Sequence, residues 1–162
     1  MLTGKVDMAE LGTALHLTIA RAGTLGAVDS AEVEHILQTW GVAHALGTAA
    51  VQAQVTALYA WIRARWPECP ILVEVPMEVQ RDDGTRLRGR IDLLVDTPEG
   101  WILINHKSNP GGASADKLLA QEHGPQLGAY ADALFRATGR PVREQWLYLP
   151  VAARVLQISG CT

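Results

Sequence analysis

Two short apolar runs carry polar residues that a buried strand does not ordinarily contain. Gly89-Arg90-Ile91-Asp92-Leu93-Leu94-Val95 sets a carboxylate among core-seeking neighbours, and Trp101-Ile102-Leu103-Ile104-Asn105-His106-Lys107 closes on an amide, an imidazole and an ammonium. Alternate side chains of a strand share a face. Arg90, Asp92, Leu94 and Asp96 therefore point one way, and in the second run Asn105 and Lys107 share a face. A carboxylate on one strand, a second oxygen ligand on its neighbour and a lysine two residues further on suit phosphodiester hydrolysis. The two oxygen ligands fix a hard divalent cation such as Mg²⁺, which takes a substrate phosphate oxygen into its shell. The lysine orients or deprotonates the attacking water and offsets charge that develops on the phosphoryl oxygens.

These runs need elements to position them. Leu11, Leu15, Ile19 and Ala22 recur at helical spacing and predict a first helix over Asp7–Ala22, broken by Gly23 and Gly26. Ser30 is the expected N-cap of a second helix ending near Trp40, and a third runs from Thr48 to Arg65, stopping before Pro67. After Pro70 the period falls to two. Ile71–Gln80, Arg86–Asp96 and Trp101–Lys107 form an antiparallel meander with turns at Asp82-Asp83-Gly84 and Pro98-Glu99-Gly100. A short helical turn from Ser114 to Glu122 then gives way to a main helix that begins with Pro125 in its first turn and ends at Gly139. Gln145–Leu149 and Arg154–Ile158 are the final strands. Helices, a meander, a helix and strands make an α+β or mixed α/β sandwich.

Composition narrows the chemistry. The 162 residues, 48% of them hydrophobic, suffice for one compact domain with its own core. No apolar run is long enough to span a membrane and no secretory leader is readable, so the expectation is a soluble cytoplasmic protein. Two cysteines, Cys69 and Cys161, exclude a disulfide framework and four-cysteine metal centres, leaving oxygen and imidazole ligands for any metal. A net charge of −3 disfavours a protein that coats DNA electrostatically, yet it suits a nuclease centre, whose carboxylates meet phosphate only through a cation.

At this point the sequence resembles the PD-(D/E)XK nucleases, and within them the RecB-like domain at the C-terminus of AddA-type helicase-nucleases. That pattern runs as a histidine on an early helix, a glutamate on the first strand, Gly-x-x-Asp on the second, Asp-x-Lys on the third and Gln-x-x-x-Tyr on the following helix. This chain offers, in that order, Gly12-Thr13-Ala14-Leu15-His16, Glu74-Val75-Pro76, Gly89-Arg90-Ile91-Asp92, Asn105-His106-Lys107 and Gln126-Leu127-Gly128-Ala129-Tyr130. The resemblance implies an α/β fold with a central mixed sheet, an antiparallel meander and flanking helices. It implies that His16, Asp92, Asn105 and the main-chain carbonyl of His106 hold Mg²⁺ or Mn²⁺. Lys107 is the implied catalytic lysine, Glu74 an acidic residue near the metal or its water, and Gln126 with Tyr130 the residues that line a DNA strand or brace the site. It further implies one nuclease domain over residues 1–162 cut from a longer helicase-nuclease: a helical part to residue 66, the meander over 71–107, and the last helix and strands over 108–162. The implied activity is exonuclease work on DNA in double-strand-break processing in the bacterial nucleoid. The partners are DNA, a helicase domain of the parent chain and a second helicase-nuclease subunit, with no membrane.

One departure stands out. Asn105 occupies the position of the family's aspartate, which keeps a neutral oxygen ligand but removes a full negative charge. Either the aspartate was exchanged to disable the site, the reading that the other four elements favour, or the chain is a degenerate copy serving DNA binding or scaffolding. Each residue also has a plainer reading: His16 as a packed histidine, Glu74 and Lys107 as solvated charges, Asp92 as a partner of Arg88 or Arg90, and Gln126 with Tyr130 as an i, i+4 packing pair. The five tryptophans read as core or interface anchors, and His35, His44 and His123 as surface or satisfied histidines.

Overall fold

The computed structural model describes residues 6–80, 84–108 and 113–158. Its element order is α1 (Met8–Leu25), α2 (Ser30–Thr39), α3 (Thr48–Arg65), β1 (Ile71–Gln80), β2 (Arg86–Thr97), β3 (Gly100–His106), a 3₁₀ turn at Ala113–Ala115, α4 (Asp116–Thr138), β4 (Val142–Leu149) and β5 (Arg154–Ile158). Two compact units divide the chain. Of the described residues, one holds the three N-terminal helices with residues 106–108 and 149–154, and the other holds residues 69–80, 84–105, 113–148 and 155–158.

In the helical unit, the Asp7 side chain accepts the amide protons of Ala9 and Glu10 and so caps α1, whose buried stripe is Leu11, Ala14, Leu15, Thr18, Ile19 and Ala22. Gly23 does not break this helix, contrary to expectation. The helix runs on to Gly26, whose left-handed φ of 80° makes the stop. The cap of α2 is Asp29, which accepts from Glu32, rather than Ser30, whose hydroxyl instead donates to Gln52 of α3. α3 has its expected limits and buries Val51, Val55, Leu58, Tyr59 and Ile62. Burial pushes the Tyr59 phenol well above its ordinary range, and its hydroxyl donates to the Ile19 carbonyl at 2.8 Å.

The second unit is built on a five-stranded sheet of order β1-β2-β3-β4-β5. β1, β2 and β3 form the expected antiparallel meander. Its first turn, at residues 82 and 83, lies outside the described residues. The Trp101 N–H donates to the Pro141 carbonyl, so β3 and β4 start side by side and run parallel, with α4 as the crossover that makes the sheet mixed. Ile91, Leu93, Val95, Ile102 and Ile104 form one apolar face of β2 and β3, each at most 2% exposed. α4 is one continuous helix, and Pro125 lies inside it rather than at its start. Leu119 and Leu127, two turns apart and both buried, anchor the helix on either side of the proline, which offsets the lost backbone hydrogen bond. At the far end Arg140 lies over the Trp101 ring, 4.4 Å from its centroid, bonds Asp96 at 2.7 Å and donates to the Thr97 carbonyl.

Candidate active site

The register puts the predicted site residues of the sheet together. Leu93 pairs with Ile104, so one further step of that register sets Asp92 across from Asn105, and Val73–Leu93 and Val75–Ile91 bracket Glu74 opposite Asp92. Asp92 is 7% exposed and Asn105 4%, on a face otherwise made by Leu94 and Leu103. The Asp92 N–H donates to Asn105 Oδ1 at 3.3 Å. That bond fixes the amide, because a peptide N–H needs an acceptor: the oxygen turns to the Asp92 backbone and the other limb of the side chain is an NH₂ donor. An aspartate in the same pose would spend one oxygen on that N–H and keep the second for a cation.

Glu74 is in the left-handed region, with φ 55°, in the middle of β1. For a non-glycine residue in a strand this costs on the order of 1–2 kcal/mol. The strain falls at the one position facing Asp92. Glu74 also accepts from Arg90 at 2.6 Å. Arg88 pairs with Glu78. No sequence signal announces the backbone conformation of Glu74.

Two elements of the motif meet at Gly89. A Cβ there would lie 2.0 Å from the Tyr130 hydroxyl and 2.8 Å from the adjoining ring carbon, so only glycine leaves room for the ring. Tyr130 is 2% exposed and accepts a hydrogen bond from Gln126 Nε2 at 3.0 Å. Residue 89 faces away from Arg88, Arg90 and Asp92, so Tyr130 packs on the side of β2 opposite the Asp92 side.

The helical unit holds the remaining site residues. His16 is half-buried on α1, and its ring meets that of His106 edge-on with centroids 5.6 Å apart. Burial, reinforced by His16 and Lys107, pushes the His106 imidazole down to about 3, so it is neutral at ordinary pH. β3 ends at His106, which places Lys107 just past the strand rather than on it. Ser108 then lies against α1, where a Cβ on Gly12 would come within 2.8 Å of its hydroxyl. Gly12 thus seats the segment after Lys107 one helical turn before His16.

A family model for the PD-(D/E)XK nuclease superfamily matches residues 2–160. The chain belongs to that superfamily. Its relatives are ATP-dependent helicase/nuclease proteins of the AddA type. The protein of Pelotomaculum thermopropionicum is 29% identical over 160 residues, covering 87% of this chain and 13% of the relative. That of Desulforudis audaxviator is 28% identical over 103 residues, covering 60% and 8%, and that of Levilactobacillus brevis 32% over 74 residues, covering 43% and 6%. This nuclease-superfamily chain therefore spans between 6% and 13% of the length of those relatives. It matches the RecB-like domain of the AddA-type proteins, in agreement with the resemblance drawn from its motifs. PD-(D/E)XK nucleases use divalent metal ions. Carboxylate oxygen and imidazole are the donor types present, and a buried carboxylate on a leucine-lined sheet face suits a hard cation. No helix among the described residues is long and apolar enough to cross a membrane.

Proposed function

We propose that this chain is the metal-dependent DNA nuclease domain of a bacterial helicase-nuclease, acting as an exonuclease in double-strand-break processing, and that Asn105 impairs it. The observation that carries the reading is the buried Asp92–Asn105 pair on neighbouring strands, with the amide oxygen held by the Asp92 N–H. In this reading His16, Asp92, the residue at 105 and the His106 main-chain carbonyl hold Mg²⁺ or Mn²⁺, with Glu74 beside them. When bound, such an ion polarises the scissile phosphate and lowers the pKa of a water. Lys107 orients that water or takes its proton, and its charge offsets the charge gathering on the phosphoryl oxygens. Gln126, Tyr130 and Gly89 set the position of β2, and so of Asp92, while the site receives a DNA strand. In the parent protein the strand is delivered by a helicase domain, in the nucleoid and in company with a second helicase-nuclease subunit.

Asn105 itself favours a second reading: a nuclease-fold module that has lost its chemistry and retains DNA binding or scaffolding. An amide that turns its donor limb toward the cation's place repels it. Cleavage assays on linear single-stranded and duplex DNA separate the two. The first reading expects Asn105→Asp to cut in Mg²⁺ or Mn²⁺ and to stop with EDTA or with Asp92→Ala. A folded Asn105→Asp protein that binds DNA and never cuts it favours the second.

A further inference from the structure

Ahead of Asp92, β2 alternates arginine with other residues: Arg86, Arg88, Arg90, then Asp92. The β1–β2 register keeps one offset from Gln80–Arg86 to Ile71–Val95, with the pair at Glu74 alone missing, so by alternation along β2 these four positions share one face. The three arginine side chains are 61–79% exposed, and the face opposite them at Gly89 is closed by Tyr130. Carboxylates of β1 hold them in place. Glu78 lies 3.2 Å from both Arg86 and Arg88, and Glu74 lies 2.6 Å from Arg90. Exposed pairs of this kind contribute little, so exchanging a carboxylate for a phosphate costs little. Among the described residues Arg86 and Arg88 share one carboxylate, so that end of the row sets two guanidinium groups against a single acid.

Successive arginines on a strand stand about 6.7 Å apart. That spacing is comparable to the separation of successive phosphates along an extended single strand of nucleic acid. Guanidinium is the group that meets phosphate in a fork geometry.

We propose that Arg86, Arg88 and Arg90 form a phosphate track on β2 that leads the backbone of a single DNA strand to Asp92, with Glu78 holding the first two arginines in register until phosphates replace it. The proposal rests on the nuclease reading for its substrate, but its test needs no cleavage. The full chain, in EDTA, is titrated into a short fluorescent oligothymidylate and anisotropy is followed from about 50 to 200 mM salt, the range over which phosphate contacts are lost. Exchanging Arg86 and Arg88 together for alanine removes two contacts, and the slope of log affinity against log salt falls in magnitude by about 1.4, at 0.7 per phosphate on a single strand. Glu78→Gln tightens binding more than Glu34→Gln, a charge-matched change on α2 of the helical unit. A duplex of the same length shows the smaller dependence on Arg86 and Arg88.

The proposal is overturned by an unchanged slope in the double variant with its melting temperature preserved. Equal effects of the two glutamate changes also overturn it, as does absence of binding by the native chain at low salt. The nuclease reading answers to a different result, cleavage by Asn105→Asp at saturating DNA, so the two fail separately.

Discussion

Placing a carboxylate at residue 105 with Asn105→Asp tests the site through its thermodynamics before any DNA is cut. Residue 105 and Asp92 are 4% and 7% exposed and adjacent across the sheet, so water screens them only partly. At an effective dielectric constant of about 20, two unit charges about 4 Å apart interact by about 4 kcal/mol. A second carboxylate thus gains about 8 kcal/mol against a dication, while its repulsion of about 4 kcal/mol from Asp92 is present with or without the ion and weakens the fold rather than the affinity, so metal affinity rises by at least roughly a thousandfold. Without metal the variant loses up to about 4 kcal/mol of stability, less whatever protonation of the pair recovers. Thermal unfolding in EDTA and in rising Mg²⁺ measures both. At a hundred times its dissociation constant the ion stabilises by about 2.7 kcal/mol, which for a chain of this size is about 5–10 °C. The native chain shows a far smaller shift at the same concentrations, and Asp92→Ala abolishes the shift in the variant. Identical Mg²⁺ responses of native and Asn105→Asp proteins, both folded, would refute the reasoning, since the added charge would then face no cation.

The contact of Tyr130 with Gly89 predicts that Gly89→Ala destabilises by about 1–3 kcal/mol, measured by denaturant unfolding. Tyr130→Phe in the same chain removes the closest atom and recovers part of that loss; additive costs would show that the hydroxyl is not what meets residue 89. Arg140→Lys keeps the charge but loses the planar stack on Trp101 and the fork to Asp96 and Thr97, lowering stability by about 1–2 kcal/mol, with a melting temperature unchanged from native as the contrary outcome. Burial raises the phenols of Tyr59 and Tyr148, the latter to about 12, so their contribution is intact below pH 10 and is lost as pH climbs above it. Each tyrosine then weakens the folding equilibrium up to tenfold per pH unit, and Tyr148→Phe makes the alkaline limb of a stability–pH curve shallower.

Helix limits and strand identities were legible where local chemistry decides them. α3 ends at Arg65 because Pro67 follows, and the meander follows from period-two runs between turn residues. The misjudged boundaries lie where a local preference yields to packing. Gly23 stays helical because Ala22 and Ile19 on the same turn are buried, and Pro125 stays inside α4 because Leu119 and Leu127 hold both halves. Motif order placed Asp92 beside Asn105, since alternation and hairpin register are sequence properties. The orientation of the amide, the left-handed backbone of Glu74 and the pairing of Glu78 with two arginines depend on atoms of a neighbouring strand, which no spacing rule supplies.

The tripeptide Asn105-His106-Lys107 is held by its backbone at both ends, apart from the side chain at residue 105. The division between the two units falls after Asn105, so residue 105 is fixed by sheet register while His106 and Lys107 are fixed against α1, through the His16 ring and the Ser108–Gly12 contact. Backbone geometry can therefore remain intact at both ends of the tripeptide when the side chain at 105 changes, because the Asp92 N–H donates as readily to a carboxylate oxygen as to an amide oxygen. Asparagine satisfies the fold's demand at that position as well as aspartate does. Only the second limb of the side chain differs, a donor in place of an acceptor, and that limb makes no backbone bond in the sheet. The backbone thus places no constraint on the charge at residue 105, which is set by repulsion from the buried Asp92 carboxylate and by any cation that offsets it.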